Sequence, residues 1–132
     1  MKKMLLFSAI LFCSGAIGLA STAGAADKGP AEITLQATID PATTPKPAQF
    51  PHGVHQAKME CGTCHHGKGA DGKRVEYVAG QKIEKCETCH NTKVKLPEKV
   101  ATLKLAGHVL CMECHRKNDA ALTKCGVCHT KM

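Results

Sequence analysis

The chain has 132 residues, 18 of them basic and 11 acidic for a formal net charge of +7, with one Tyr, three Phe and no Trp. That length accommodates one modest domain and no more. So few aromatic side chains leave little to stack on bases, and the positive charge then points to an acidic protein partner rather than to nucleic acid.

From the N-terminus, Lys2 and Lys3 precede an uncharged apolar run from Met4 to Leu19, and small residues lead to Ala23-Gly24-Ala25. This is the pattern of a secretory signal peptide, residues 1–25, with cleavage after Ala25 or Ala26. The run is short for a membrane span, and Cys13 within it has no lipoprotein-like surroundings. No later stretch is long and apolar enough to span a membrane, so a soluble periplasmic protein without a stable membrane anchor is expected. The mature chain keeps 16 basic residues against 11 acidic ones, a charge of +5. Residues 26–31 read as a flexible leader and residues 32–132 as the domain.

Within the domain, Glu32–Ile39 alternates Ile33, Leu35, Ala37 and Ile39 with mostly polar neighbours, which predicts a short half-buried strand. Pro41, Pro45, Pro47 and Pro51 then impose extended backbone with few donors. One or two helical turns follow over His52–Met59. Gly67–Arg74, containing Asp71-Gly72, predicts a turn or hairpin loop. Pro97 predicts the start of a helix running through Val100, Leu103 and Lys104 towards Gly107. Short helical pieces around the cysteines make up the rest. Only Phe50 and Tyr77 remain as aromatics once the signal is removed, so a chain of this size has little with which to build an apolar core.

The dominant feature is an internal repeat. Cys-x-x-Cys-His occurs at Cys61–His65, Cys86–His90, Cys111–His115 and Cys125–His129, and these four copies use every cysteine after Cys13. Composition alone gives about 0.04 chance occurrences of this haem-attachment pattern. Two thiols three positions apart share one turn and reach both vinyl groups of a c-type haem. The next residue, a histidine, then lies under the ring and offers an imidazole to iron. Zinc ribbons also use Cys-x-x-Cys pairs, but they do not require a histidine after each one. A thioredoxin-like redox pair would need one motif in a strand–helix alternation. A four-disulfide scaffold gives no reason for the histidines.

The histidine count sharpens this. His65, His90, His115 and His129 lie inside the motifs; His52, His55, His66 and His108 lie outside, and there are eight in all. Four haems with two axial histidines each use all eight. Met59 is the one serious rival as a sixth ligand, because Met112 sits inside a motif and Met132 is the terminal residue. Bis-histidine ligation leaves a haem at low potential and closes both faces of the iron, so electron transfer is expected rather than bond chemistry. His65 and His66 are adjacent and diverge, so they serve two different irons. His52 and His55 can likewise serve two neighbouring irons. The haems therefore form one compact cluster.

Phe50-Pro51-His52-Gly53-Val54-His55, the Cys61–His66 segment with its double histidine, the three later motifs and His108 between the second and third together resemble the class III c-type cytochromes, the tetrahaem cytochrome c₃ family of anaerobic sulfate- and metal-reducing bacteria. The likeness covers essentially all of residues 32–132. It implies a small multihaem cytochrome: mainly short α-helices and loops wrapped around four covalently attached haem c groups, with a short two-stranded β element near the N-terminus. It implies axial pairs of His52 with His65, His66 with His90, His55 with His115 and His108 with His129. It also implies packing of Phe50 between the first and third haems. Two features depart from well-known members: all four motifs have two residues between their cysteines, and His108 lies only three residues before Cys111.

The resemblance further implies a monomeric periplasmic electron carrier. Its partners would be redox proteins such as a periplasmic hydrogenase and a membrane-bound electron-transfer complex, with no nucleic acid. It also implies docking of acidic partners through lysines around the fourth haem, for which Lys93, Lys95, Lys99, Lys104, Lys117, Lys124 and Lys131 are candidates. The competing functions are a terminal reductase of metal ions or sulfur compounds, which would need an iron lacking one histidine, and a zinc-stapled exported module.

Overall fold

The computed structural model describes residues 28–130. The expected signal peptide, Lys131 and Met132 lie outside these residues. Two small antiparallel strand pairs, separated by a short helix and a 3₁₀ turn, come before the longer run of helices and 3₁₀ turns.

Strand β1, Ile33–Leu35, pairs with β2, Ala48–Phe50, in the register Ile33↔Phe50, Thr34↔Gln49 and Leu35↔Ala48. The Thr34 hydroxyl donates to the Gln49 side-chain oxygen across the pair at 3.1 Å. This is the short two-stranded element expected near the N-terminus. The ladder is shorter than the Glu32–Ile39 alternation predicts, although Ile33, Leu35, Ala37 and Ile39 are all half-buried. Pro47 and Pro51 immediately flank β2, and neither carries an N–H to extend the pairing.

Helix α1, His52–Gln56, is also shorter than the expected His52–Met59. Residues 28–31 are tied to it. The Gly53 N–H donates to the Ala31 carbonyl at 2.8 Å, His52 Nδ1 to the Pro30 carbonyl at 2.9 Å, and the Gln56 amide to the Lys28 carbonyl.

The expected turn over Gly67–Arg74 closes a hairpin of β3, His66–Lys68, and β4, Arg74–Glu76. Gly72 takes φ +80° in this turn, a backbone conformation that suits glycine. Gly67 faces Val75, and a Cβ there would meet the Val75 side chain at 2.7 Å. The Val75 side chain would have to shift to admit any side chain at residue 67.

The helix expected from Pro97 to Gly107 is displaced. Pro97 caps only a 3₁₀ turn, Glu98–Val100, and the long helix α2 spans Leu103–Asn118. The Thr102 hydroxyl accepts the Leu105 N–H at 3.3 Å and supplies the N-cap. Gly107 does not end the helix, because a mid-helix glycine costs only about 1 kcal/mol and the strong helix formers Leu103, Lys104, Leu105 and Ala106 precede it. Arg116 and Lys117 occupy the last turn, where positive charge complements the helix dipole. A 3₁₀ turn at Ala120–Thr123 then leads to α3, Cys125–Cys128.

Among the described residues no apolar side chain is fully buried; the two buried side chains are Glu87 and Asn91. Val54, Val75, Ile83, Leu110 and Val127 are all more than 40 % exposed. The described residues thus supply no apolar core of their own around which these elements could close.

Candidate functional site

Each cysteine motif is one tight turn. The first and second occupy 3₁₀ turns at Cys61–Thr63 and Cys86–Thr88, the third lies wholly within α2, and the fourth forms α3. The backbone N–H of the motif histidine donates to the carbonyl of the first cysteine: His65 to Cys61 at 2.9 Å, His90 to Cys86 at 2.8 Å and His129 to Cys125 at 2.9 Å. These bonds hold both cysteines and the histidine on a single turn. All eight cysteines of the motifs are free thiols, so they are not consumed in a disulfide framework.

The eight histidines meet two by two. Ring centroids lie 6.1 Å apart for His52 and His65, 6.3 Å for His55 and His115, 5.9 Å for His66 and His90, and 6.3 Å for His108 and His129. A metal–imidazole bond of about 2 Å on each side, plus roughly 1.2 Å from each ring nitrogen to its ring centre, would put two imidazole centroids on opposite sides of one metal about 6.4 Å apart. The pairs thus have the separation of two rings sharing one axial metal ion. Among the described residues, no three Cys, His, Asp or Glu side chains converge as a metal cage of their own. The histidine pairs therefore fit an iron whose remaining ligands come from a macrocycle.

The tautomers agree with this. Nδ1 donates to a backbone carbonyl in six of the eight: His52 to Pro30, His55 to Pro51, His66 to Gly67, His90 to Val100, His108 to Lys104 and His129 to Pro47, at 2.6–3.0 Å. Protonation at Nδ1 leaves Nε2 free to bind a metal and fixes the ring plane. His65 is held below the usual imidazole pKa by burial, then by His52 and His66, which keeps it in the neutral, ligating form. Burial pushes the Cys111 thiol up to about 11, with a further contribution from Cys64 and then Cys128. Cys64 is raised by burial and then by Cys114. This mutual influence reflects how closely the motifs converge.

The fold explains how the pairs form. His108 and His115 lie seven residues apart on α2, two turns along one face, and meet His129 and His55. Adjacent His65 and His66 meet partners on either side in sequence, His52 and His90. Phe50 contacts two of the pairs, with ring centroids 5.7 Å from His52 and 4.6 Å from His55. A cavity of about 1060 Å³ opens beside the second pair, lined by His66, His90, Cys86 and Cys89, with Leu103 and Leu110 among its apolar walls.

Sequence reasoning missed several residues here. Tyr77 lies 6.4 Å from His65, centroid to centroid; its rarity as an aromatic was the one available signal. Glu87, inside the second motif, accepts from the Thr38 N–H at 2.7 Å, the Thr38 hydroxyl at 2.9 Å and the Ile39 N–H at 3.2 Å. Asp40 in turn accepts from the Thr92 N–H and hydroxyl, both at 2.7 Å. Together they clamp residues 38–40 against the second motif, and no sequence pattern announced it. Of the candidate docking lysines, Lys95 and Lys117 line the large cavity. Lys93, Lys99 and Lys104 are exposed elsewhere, and Lys124 precedes α3.

The comparisons with known proteins agree with this geometry. The profile of the class III cytochrome C family matches residues 30–129. Cytochrome c3 of Desulfovibrio desulfuricans is 32% identical over 111 residues, covering 77% of this chain and 96% of the relative. The high-molecular-weight cytochrome c of Nitratidesulfovibrio vulgaris (strain Hildenborough) is 32% identical over 108 residues, covering 65% of this chain but only 17% of that much longer protein. No solved structure matches significantly. The chain belongs to the class III cytochrome C family, a family of multihaem electron-transfer proteins with covalently bound c-type haem.

Proposed function

We propose that this class III cytochrome is a periplasmic low-potential electron carrier with four covalently attached haems, each iron held by two histidines. The observation that carries the reading is the set of four histidine pairs at 5.9–6.3 Å, each containing one motif histidine. Haem, when bound, supplies reversible one-electron iron chemistry. The chain's residues do the rest. Cys61 and Cys64, Cys86 and Cys89, Cys111 and Cys114, and Cys125 and Cys128 anchor one group each through thioether bonds. The pairs His52/His65, His66/His90, His55/His115 and His108/His129 provide the axial nitrogens. Two imidazoles per iron leave no position for a substrate and none for Met59, which favours electron transfer over catalysis. They also keep the potential below that of methionine–histidine ligation.

Adjacent His65 and His66 place the first and second redox centres next to each other, α2 links the third and fourth through His115 and His108, and α1 links the first and third through His52 and His55. Electrons entering at one centre can therefore reach all four. The donor and acceptor are redox proteins, on the pattern of a periplasmic hydrogenase and a membrane-bound electron-transfer complex. The apolar run at residues 4–19 and the Ala23-Gly24-Ala25 site support export. Among the described residues no helix is long and apolar enough to cross a membrane.

The test is to express the full chain in a host that attaches c-type haem, then measure haem per chain and the near-infrared magnetic circular dichroism of the oxidised protein. Four haems with the bis-histidine signature are expected. A haem count below four, or a methionine–iron signature, would overturn the assignment.

A further inference from the structure

Residues 28–31 are exposed and carry no large apolar side chain, yet they are held against α1 at three points. The Lys28, Pro30 and Ala31 carbonyls accept from the Gln56 amide, from His52 Nδ1 and from the Gly53 N–H. Each bond ends on a backbone carbonyl of this segment, so the grip does not depend on its side chains. Two glycines let it come close. A Cβ at Gly53 would meet the Ala31 Cβ at 3.2 Å, tighter than ordinary contact. Gly29 takes φ +72° beside the His52 ring, where a Cβ would lie 3.8 Å from Cε1.

The His52 bond differs from others of its kind. His55 and His108 donate to the carbonyl four residues back, and His66 to that of the next residue. Those acceptors come with the histidine's own stretch of chain. His52 donates to a residue 22 positions away, in a segment that precedes every described strand and helix. Among the described residues, His65, the other ring of this pair, makes no Nδ1 bond to a carbonyl, so Pro30 supplies the first pair's one such acceptor. A carbonyl on Nδ1–H orients the imidazole and makes Nε2 the stronger donor to a metal. Stronger donation favours ferric over ferrous iron.

We propose that residues 28–31 form a strap that positions His52 and lowers the potential of the first haem, with the Pro30 carbonyl as the positioning group. The proposal rests on the electron-carrier reading, in which His52 and His65 hold the first iron, and adds what sets that iron apart from the other three. The strap can be removed without touching any described helix, strand or cysteine motif. Its contribution to one potential is therefore separable from haem attachment.

The experiment compares four haem-loaded proteins: wild type, a variant lacking residues 28–31, Gly29→Val and Lys28→Ala. The deletion removes the carbonyl outright. Gly29→Val keeps the length but places a β-branched residue at positive φ, which displaces the strap. Lys28→Ala keeps every strap carbonyl and removes only a charge. A redox titration followed by NMR reads the four potentials separately, and amide exchange at Gly53 reports whether the strap is seated. Losing such a partner typically weakens a metal ligand about tenfold or more. A tenfold loss borne by the ferric form raises a one-electron potential by about 59 mV. One potential should rise by about that much in the deletion and in Gly29→Val, with faster exchange at Gly53. The other three should move much less, and four haems should stay attached. Lys28→Ala should not raise it, because losing a positive charge favours the more positive ferric state.

Four unmoved potentials in the deletion variant would overturn the proposal, and so would an equal rise in all four, which is the mark of general loosening. Should the deletion variant fail to fold, unmoved potentials in Gly29→Val with fast Gly53 exchange would overturn it in the same way. A rise in Lys28→Ala equal to that in the deletion would also overturn it, since the carbonyls are intact there. A wild-type protein with fewer than four haems, or without the bis-histidine signature, would instead overturn the carrier reading, and this is seen before any variant is titrated.

Discussion

Asn91→Ala should weaken the protein well beyond what its single polar side chain suggests. Asn91 is 4% exposed and follows the last residue of the second motif. Its Nδ2 donates to the Glu87 carbonyl at 2.7 Å and the Thr88 carbonyl at 3.2 Å, and its Oδ1 accepts the Lys93 N–H at 2.9 Å. Alanine removes all three bonds and leaves the Glu87 carbonyl without this partner in a buried place, with the Thr88 carbonyl and the Lys93 N–H part-buried beside it. At about 1 kcal/mol for each bond, with the usual surcharge for an orphaned buried group, the loss is roughly 2–4 kcal/mol. That is a large share of the roughly 5–15 kcal/mol that stabilises a typical domain. At about 4 °C per kcal/mol, the low end of the range corresponds to a fall of about 8 °C in the thermal midpoint. Thermal unfolding of the haem-loaded protein by circular dichroism gives the midpoint, and amide exchange at Lys93 and Val94 should accelerate in parallel. A midpoint lowered by less than about 2 °C, with exchange unchanged, would refute the bracing role.

Three further outcomes follow from the same structure. The haem-free mature chain should show no cooperative thermal transition, since the described residues bury no apolar side chain and ligand binding energy then becomes folding energy; a sharp melting transition in that chain would contradict this. His108→Met should leave four haems attached, because Cys125 and Cys128 are untouched, while raising the potential of one haem in a redox titration; four unmoved potentials would remove His108 from the ligand set. Glu87 and Asp40 are both held below the usual carboxylate range, chiefly by hydrogen bonds from Thr38 and from Thr92. A depressed folded-state pKa means that their stabilisation is present above the ordinary carboxylate pKa and is lost as pH falls through the lowered value. Glu87→Gln/Asp40→Asn should therefore flatten the acid limb of a stability–pH curve, and an acid limb identical to wild type would show that the clamp does not titrate.

The chemistry was more legible in the sequence than the architecture. Cys-x-x-Cys-His is a covalent requirement and survives any fold, so four copies spoke for themselves. Eight histidines are the number that four bis-histidine irons would use, and the structure brings the rings together as His52/His65, His66/His90, His55/His115 and His108/His129. Element boundaries were harder because this chain does not pack apolar faces against one another. Hydrophobic periodicity, the main signal for strands and helices, is weak where nothing apolar is fully buried. Pro97 looked like a helix start, yet Thr102 holds the cap, and Gly107 looked like a stop in a helix that continues for eleven residues beyond it. The Glu87 and Asp40 clamps join residues about 50 positions apart and leave no periodic trace.

The central claim, four bis-histidine haems acting as an electron store, is tested most directly by an anaerobic reductive titration of the purified protein followed in visible absorption. Four electrons taken up per chain, all at negative potential, are the predicted result. Uptake of fewer than four electrons, or any step at a clearly positive potential, would contradict the account.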